Sequence, residues 1–341
     1  MSNLPPSGEI PRGAIRFNTD SNKPELWDGS QWAEFQLSTP NLGRSVDTQP
    51  GARGIIYKND GNAIEYVNIS STGNAQDFGD ATDTRGGAYG VSSATRGVFA
   101  SGYIAPGYVD VIDFVTIAST GDATDFGNLS TGKYVMGGAS SATRGLFAGG
   151  FRFPSGPFYS GIEYVTIAST GNAVTFGDLT VGRWGLAGVS SPVRGVFGSG
   201  GIAPNSSNSN TIDFVTIATL GDAQDFGDLS YSQRGTTGCS NAIRGLFSGG
   251  YDASNNYYTN IEYVNISSTG NSVNFGDAIA AVRGSGAFSS PTRGCFAGGS
   301  TPSDINTISY VTIQTEGDAI DFGDMGSATQ SRGCSNAHGG L

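Results

Sequence analysis

Hydrophobic positions in this chain come in short runs. Across residues 133 to 178 the order is a basic residue at Lys133, the small-residue run YVMGGASSAT, Arg144 with GLFAGG, a variable loop, IEYVTI, the turn ASTGN, and AVTFGD. Each apolar run is rich in Val, Ile, Phe and Tyr and bounded by Gly, Ser, Asn or Asp, which predicts strands. The turn supplies Gly and Asn where a tight reversal needs positive backbone dihedrals. The unit therefore predicts four strands, and no stretch carries the period of a long amphipathic helix.

The run IDFVTI at residues 112 to 117 has five edited copies, and the six begin at Ile64, Ile112, Ile162, Ile212, Ile261 and Ile308, in steps of 48, 50, 50, 49 and 47 residues. A unit of this length is too small to bury its own core and must stack on its neighbours. Four antiparallel strands repeated six times predict a propeller whose blades pack face to face. The ends of the array predict how it closes. It begins at Arg53 with GIIY, a second strand, and ends at RGCSNAHGGL, a first strand without its sequel. A terminal strand within residues 332 to 338 is expected to complete the blade begun by residues 54 to 79.

The order of basic residue, small-residue strand, apolar strand ending in Gly-Gly, long loop, acid-aromatic strand and aromatic strand resembles the kelch repeat family. The expectation is an all-β fold: a six-bladed kelch-like β-propeller at 53–341, its first blade closed by the C-terminal strand, preceded by a small N-terminal β-hairpin module at 1–45 with a linker to about 52. Kelch-type propellers serve in enzymes, scaffolds and adhesive proteins alike, so the resemblance implies architecture and leaves activity open.

Of the 18 basic residues, 12 lie in two repeat positions: Arg85, Lys133, Arg183, Arg234, Arg283 and Arg332 before the inner strand, and Arg53, Arg96, Arg144, Arg194, Arg244 and Arg293 after its turn. A functional reading makes them an anion-gripping ring. A structural reading pairs them with carboxylates and carbonyls of their own or the next blade, and acids recur at matching positions: Glu65, Asp113, Glu163, Asp213 and Glu262, then Asp80, Asp178, Asp228, Asp277 and Asp324. The matched periodicity favours the structural reading.

Composition narrows the chemistry. A formal net charge of -11 disfavours general affinity for nucleic acid or anionic membrane. No apolar run approaches the length that spans a bilayer, and MSNLPPSGEIPRG lacks the order of a secretory signal, so synthesis in a cytoplasm is expected. The single histidine, His338, excludes a histidine-rich metal site. Asp77-Phe78-Gly79-Asp80 and its copies lack the dense ligand alternation of calcium loops. Cys239, Cys295 and Cys334 are too few for a disulfide scaffold. The expectation is no enzyme, no metal and no cofactor.

The copies differ most in the loops SGYIAPGYVDV, GFRFPSGPFYSG, GIAPNSSNSNT, YDASNNYYTN and STPSDINT, which an up-and-down blade places on one face of the ring. They carry Tyr103, Tyr108, Phe151, Phe153, Phe158, Tyr159, Tyr251, Tyr257 and Tyr258 among Ser, Asn and Gly. Rings among adaptable polar residues suit protein or carbohydrate recognition. The alternative is that they pack on one another to hold the loops down.

The segment GAIRFNTDSNKPELWDGSQWAEFQ places Asp28-Gly29 between strand-like runs, and Phe17, Trp27, Trp32 and Phe35 give it more aromatic surface than so short a piece buries alone, a candidate for anchoring or self-association. The string IRFNTDSNKPELWDGSQWAEF resembles the short hairpin module found near the ends of many bacteriophage structural and tail-fibre proteins, and the IDFVTIASTGDATDFGDL type of repeat is similar to kelch-like repeats of marine phage virion proteins. The resemblance implies a non-enzymatic virion subunit of fibre or decoration type, assembled in the host cytoplasm. It further implies an N-terminal anchor to other virion proteins, homo-oligomerisation, and a propeller that contacts host-surface glycan or protein or neighbouring subunits, with no nucleic acid and no membrane insertion. A bacterial surface adhesin and a glycan-active propeller enzyme are the alternatives.

Overall fold

The computed structural model describes residues 11–18, 23–27, 29–34, 52–59, 61–152, 158–203 and 207–341. The chain divides into two compact units, Met1–Ser45 and Val46–Leu341. In the first, strands Ile15–Asn18, Lys23–Trp27 and Trp32–Glu34 form an antiparallel meander, so one strand precedes the expected hairpin. Trp27 faces Trp32 across the hairpin with ring centroids 5.4 Å apart, and Arg16 lies 4.3 Å over the Trp32 ring while its Nε donates to Glu25 at 2.6 Å. The Phe17 side chain, Asp28 and Phe35 lie outside the described residues.

The second unit is a six-bladed β-propeller. Blade 2 shows the pattern: inner strand Tyr89–Ser92, second Arg96–Ile104, third Gly107–Thr116 and outer Thr124–Asn128, each antiparallel to the next. Blade 1 takes its outer three strands, Arg53–Lys58, Ala63–Asn68 and Gln76–Asp80, from the start of the array and its inner strand, Ser331–Ser335, from the chain's end. The expected closure is what the chain does. Asn336 replaces the missing inner-to-second turn there: its Oδ1 accepts from Arg53 N at 2.8 Å.

One apolar cluster fills each blade interface; between blades 1 and 2, Ile55, Tyr57 and Phe78 pack on Phe99, Val115 and Ile117. Polar staples then repeat with the blades. The inner strands end in Ser92, Ser140, Ser190, Ser240, Ser289 and Ser335, and each backbone N–H donates to the next serine's Oγ, at 3.3, 3.4, 3.0, 3.4 and 3.1 Å, until Ser335 N returns to Ser92 Oγ at 3.2 Å. At the other end of the channel Val135 N donates to Gly87 O, Gly185 N to Val135 O, Gly235 N to Gly185 O, Gly284 N to Gly235 O and Ser331 N to Gly284 O; Gly87 N completes the circle on Asn59 Oδ1.

The second basic position is uniform. Arg53, Arg96, Arg144, Arg194, Arg244 and Arg293 each donate Nη1 to the carbonyl closing the next blade's third strand, Ile117, Ile167, Ile217, Ile266, Ile313 and Ile69, at 2.9 to 3.2 Å. Each guanidinium also lies over an aromatic ring of its own blade, as Arg96 does over Phe114 at 4.5 Å.

The Phe-Gly-Asp motif and the Ser-Thr-Gly turn are two halves of one clip across the blade boundary. Gly121 N donates to Phe78 O and Ala123 N to Asp80 O, both at 2.7 Å, while Asp80 N donates to Asp122 Oδ1 at 3.0 Å. Gly79 has φ +144, and a Cβ on it would sit 2.5 Å from the Gly121 carbonyl carbon. Both backbone strain and a clash with rigid backbone therefore oppose a side chain here. Gly79→Ala is expected to lower unfolding stability by about 3 kcal/mol, and Gly61→Ala, at an open position, by well under about 1 kcal/mol; urea denaturation measures both, and equal effects would refute the clip.

Candidate functional site

Counting back from the serine ring, the first basic position is not one position. Arg85, Lys133 and Arg183 stand seven residues before Ser92, Ser140 and Ser190; Arg234 and Arg283 stand six before Ser240 and Ser289, and Arg332 three before Ser335. The first three are internal to their blades. Arg85 meets Asp113 at 2.8 Å, Lys133 meets Glu163 at 2.6 Å and Arg183 meets Asp213 at 2.5 Å, all with side chains almost wholly covered. The same acids accept from the incoming connector, Glu163 from Ser130 N at 2.8 Å and Asp113 from Thr82 N at 3.2 Å. Burial alone would raise the Glu163 carboxyl, but the Lys133 ammonium and Ser130 outweigh it and hold it below its ordinary value. In blade 6 both partners are exchanged together: Val282 stands for the base and Ser309 for the acid, both buried.

A one-residue shift along extended chain turns a side chain to the opposite face. Arg234 accordingly lies 5.2 Å from the Trp184 ring and 4.6 Å from the Tyr251 ring, and donates Nη1 to Asn208 Oδ1 at 2.9 Å. Arg283 lies 4.9 Å from Tyr251 and 6.0 Å from Tyr257. Arg332 points into the channel, where its Nη1 donates to Ser331 O at 2.6 Å and Gly284 O at 3.0 Å.

Arg234 and Arg283 join a stripe of rings on the variable-loop face. Tyr103 and Tyr108 stand 5.2 Å apart, Tyr108 and Tyr134 6.3 Å, Tyr134 and Phe151 5.6 Å, and Phe151 and Trp184 4.7 Å, with Phe158 against both of the last two. The stripe continues through Arg234 to Tyr251, which stacks on Tyr257 at 5.8 Å. Tyr258 stacks on Tyr231 at 5.2 Å. Tyr159 is drawn into the scaffold, its ring 5.3 Å from the Lys133 ammonium. Phe153 lies outside the described residues. Ring packing and partial exposure coexist: Tyr103 keeps 39% of its surface, whereas Tyr251 keeps 5%.

The blade 5 loop is organised by one carboxylate. Asp252 accepts from the backbone of Ser254 and Asn256 and the Asn256 side chain, each at 2.8 Å, and from the Tyr258 hydroxyl at 3.2 Å. The Asn256 side chain, its backbone N–H and the other donors hold the Asp252 carboxyl below its ordinary value.

Tyr134, Trp184, Arg234 and Arg283 are the stripe residues that reading the loops alone misses, and Tyr231 is missed as the partner of Tyr258. A signal existed for two of them. The residue after the basic one is Gly in Arg85-Gly86, Arg234-Gly235, Arg283-Gly284 and Arg332-Gly333, but aromatic in Lys133-Tyr134 and Arg183-Trp184. Next to Tyr134, Val135 holds φ 53, a left-handed conformation that β-branched residues rarely adopt.

The central channel offers two cavities of about 60 and 50 Å³, space for a few waters. The larger cleft, about 760 Å³, is on the opposite face at the seam, bordered by Ala52 and Asn336 where the other blades have a turn. A related groove of about 310 Å³ beside Phe214 and Asp222 marks it as an enlarged copy of a repeated feature. Among the described residues no cluster of His, Cys, Asp and Glu could hold a metal. The chain matches no protein-family model and no curated protein.

The C-terminal tail seals the channel beneath the serine ring. His338 Nε2 faces Ser92 O at 2.8 Å and Ser140 Oγ at 3.3 Å, its Nδ1 accepts from Gly340 N at 3.0 Å, and Gly339 N donates to Ser240 O at 2.8 Å. A carbonyl only accepts, so Nε2 carries the proton and the ring is neutral. Burial pushes the imidazole down to about 4. A pKa depressed on folding stabilises the protein fully above the ordinary value of 6.5, and that stability is lost as pH falls towards 4. The contribution is expected to be about 3 kcal/mol. Urea midpoints at pH 7.5 and 4.0 should fall further for the wild type than for His338→Gln, and parallel falls would refute the assignment.

Proposed function

We propose that the protein is a non-enzymatic recognition subunit, a kelch-like propeller of a bacteriophage virion of fibre or decoration type, which attaches to host-surface material or neighbouring virion proteins through its variable-loop face. The observation that carries this reading is the stripe from Tyr103 to Tyr257, continuous across blade boundaries and set in loops that the repeat does not copy. Rings fixed against one another lose little freedom on binding, and the Asp252 network holds one loop in place before any ligand arrives.

The chemistry of the remaining groups supports a binding role. The histidine is neutral and committed to the tail plug. Burial pushes the Cys239 and Cys334 thiols up to about 12, far from the range of a nucleophilic thiolate. The buried acids Glu65, Asp113, Glu163 and Asp213 each have a cation of their own blade, and Glu262 accepts from Ser230 N. The phage assignment rests on the likeness of residues 15 to 35 to virion hairpin modules and of the repeat to virion propellers. In this reading the N-terminal unit anchors the chain to other virion proteins and to copies of itself.

Two measurements test the proposal. Trp184→Ala with Tyr257→Ala, at unchanged melting temperature, is expected to weaken attachment of the purified chain to host cells by about tenfold or more; undiminished attachment of the folded variant overturns the reading. Deletion of residues 1 to 45 is expected to abolish incorporation into particles while leaving cell attachment intact, and normal incorporation overturns the anchor.

A further inference from the structure

Arg283 stands on the variable-loop face without an ion pair among the described residues. Its guanidinium lies over Tyr251 and Tyr257, and its buried Nε has no hydrogen-bond partner among the described residues. The acid that an arginine of its blade would meet is Ser309, so the blade holds no internal counter-charge at that position. The nearest loop carboxylate in sequence, Asp252, is spent on Ser254, Asn256 and Tyr258. Glu262 accepts from Ser230 N at 3.2 Å.

Arg234 reaches the same Tyr251 ring at 4.6 Å, against 4.9 Å for Arg283. Two guanidiniums within contact of one ring lie within about a Debye length, roughly 10 Å at 0.1 M salt, so their repulsion is not fully screened. An anionic group between them relieves it and takes charge-assisted, forked hydrogen bonds. The pair stands on a chain of net charge -11. Beside the pair lie the rings from Trp184 to Tyr108, half-buried and set at 45° to 77° to one another along the contacts that run between them. A narrow stripe of ring edges and faces suits the thin C–H faces of a sugar chain.

We propose that the stripe binds an acidic polysaccharide, with a carboxylate or sulfate held between Arg234 and Arg283 and the adjoining sugars stacked along Trp184, Phe151 and Tyr134. This deepens the recognition role above and rests on it.

The test uses the full chain and paired polymers: polygalacturonate against its carboxyl-reduced form, dextran sulfate against dextran, and polyglutamate as an acidic polymer without sugar. At least one acidic polysaccharide is expected to bind about tenfold or more tighter than its neutral counterpart, and more weakly as salt rises. Arg283→Gln is expected to remove that preference, Arg283→Lys to keep part of it, and Trp184→Ala to weaken binding to the acidic polysaccharide, at unchanged melting temperatures. Equal binding of neutral and acidic forms, no effect of Arg283→Gln, or failure to bind any of the polysaccharides overturns the inference. Polyglutamate binding as tightly, with Trp184→Ala silent, assigns the pair to an acidic protein partner and also overturns it. Neutral-polymer binding that Trp184→Ala removes defeats the anion assignment alone. Failure of the recognition reading shows separately, as undiminished cell attachment by the ring variants.

Discussion

A circle of hydrogen bonds is complete only when its last member returns to its first. The six serines that end the inner strands form such a circle, and their backbone N–H groups face a channel with room for only a few waters. A donor left open there would bear the full cost of a buried unpaired group, about 1–3 kcal/mol. Ser335, the last member, comes from the final strand, so neither the circle nor blade 1 exists until the whole chain is in place. Blade number, seam and tail plug all answer to this one requirement. His338 sits three residues beyond Ser335 and caps the ring it has just closed.

Almost everything the repeat copies faithfully is consumed by holding blades together. The second arginine position reaches across each boundary, the Phe-Gly-Asp strand clips to the next Ser-Thr-Gly turn, and the paired acids tie connectors to sheets. Each bond contributes about 1 kcal/mol net, but six copies of several kinds act on a closed ring in which no blade can leave alone. What remains free to recognise anything is what departs from the copy. Counted from the serine ring, Tyr134, Trp184, Arg234 and Arg283 share one position, where blade 2 has Gly86 and blade 1 Thr329.

The architecture was legible because it is written in periodicity. The spacing of Ile64 to Ile308 gives the blade count, and a second strand at Arg53 facing an orphan first strand at Arg332 gives the closure. The clip was legible only as a turn, since its partner is some 40 residues away in the next blade, as Asp80 N to Asp122 Oδ1 shows. The first basic position was misaligned for a different reason. Counting from the basic residue to a small-residue run tolerates an error of one, and in extended chain an error of one reverses the side chain. Arg183 and Arg234 look equivalent by composition, yet one is buried against Asp213 and the other lies on Trp184. Counting from the serine ring instead separates them without coordinates.

The distribution of the stripe around the ring follows from the seam. Rings and cations of the stripe come from blades 2 to 6. In blade 1 the corresponding loop is occupied by closure: Lys58 pairs with Glu65 at 3.0 Å, Asn59 N donates to Gln330 O at 2.8 Å, Asn59 O accepts from Thr329 Oγ1 at 3.0 Å, and its side chain accepts from Gly87 N. A loop that supplies the missing cation of its blade and also joins both chain ends cannot be lengthened or given rings without loosening the seam. Lengthening any other loop leaves the circle intact, because those blades are joined internally by their own turns. Closure and recognition therefore compete for the same loop in one blade only, and closure holds it.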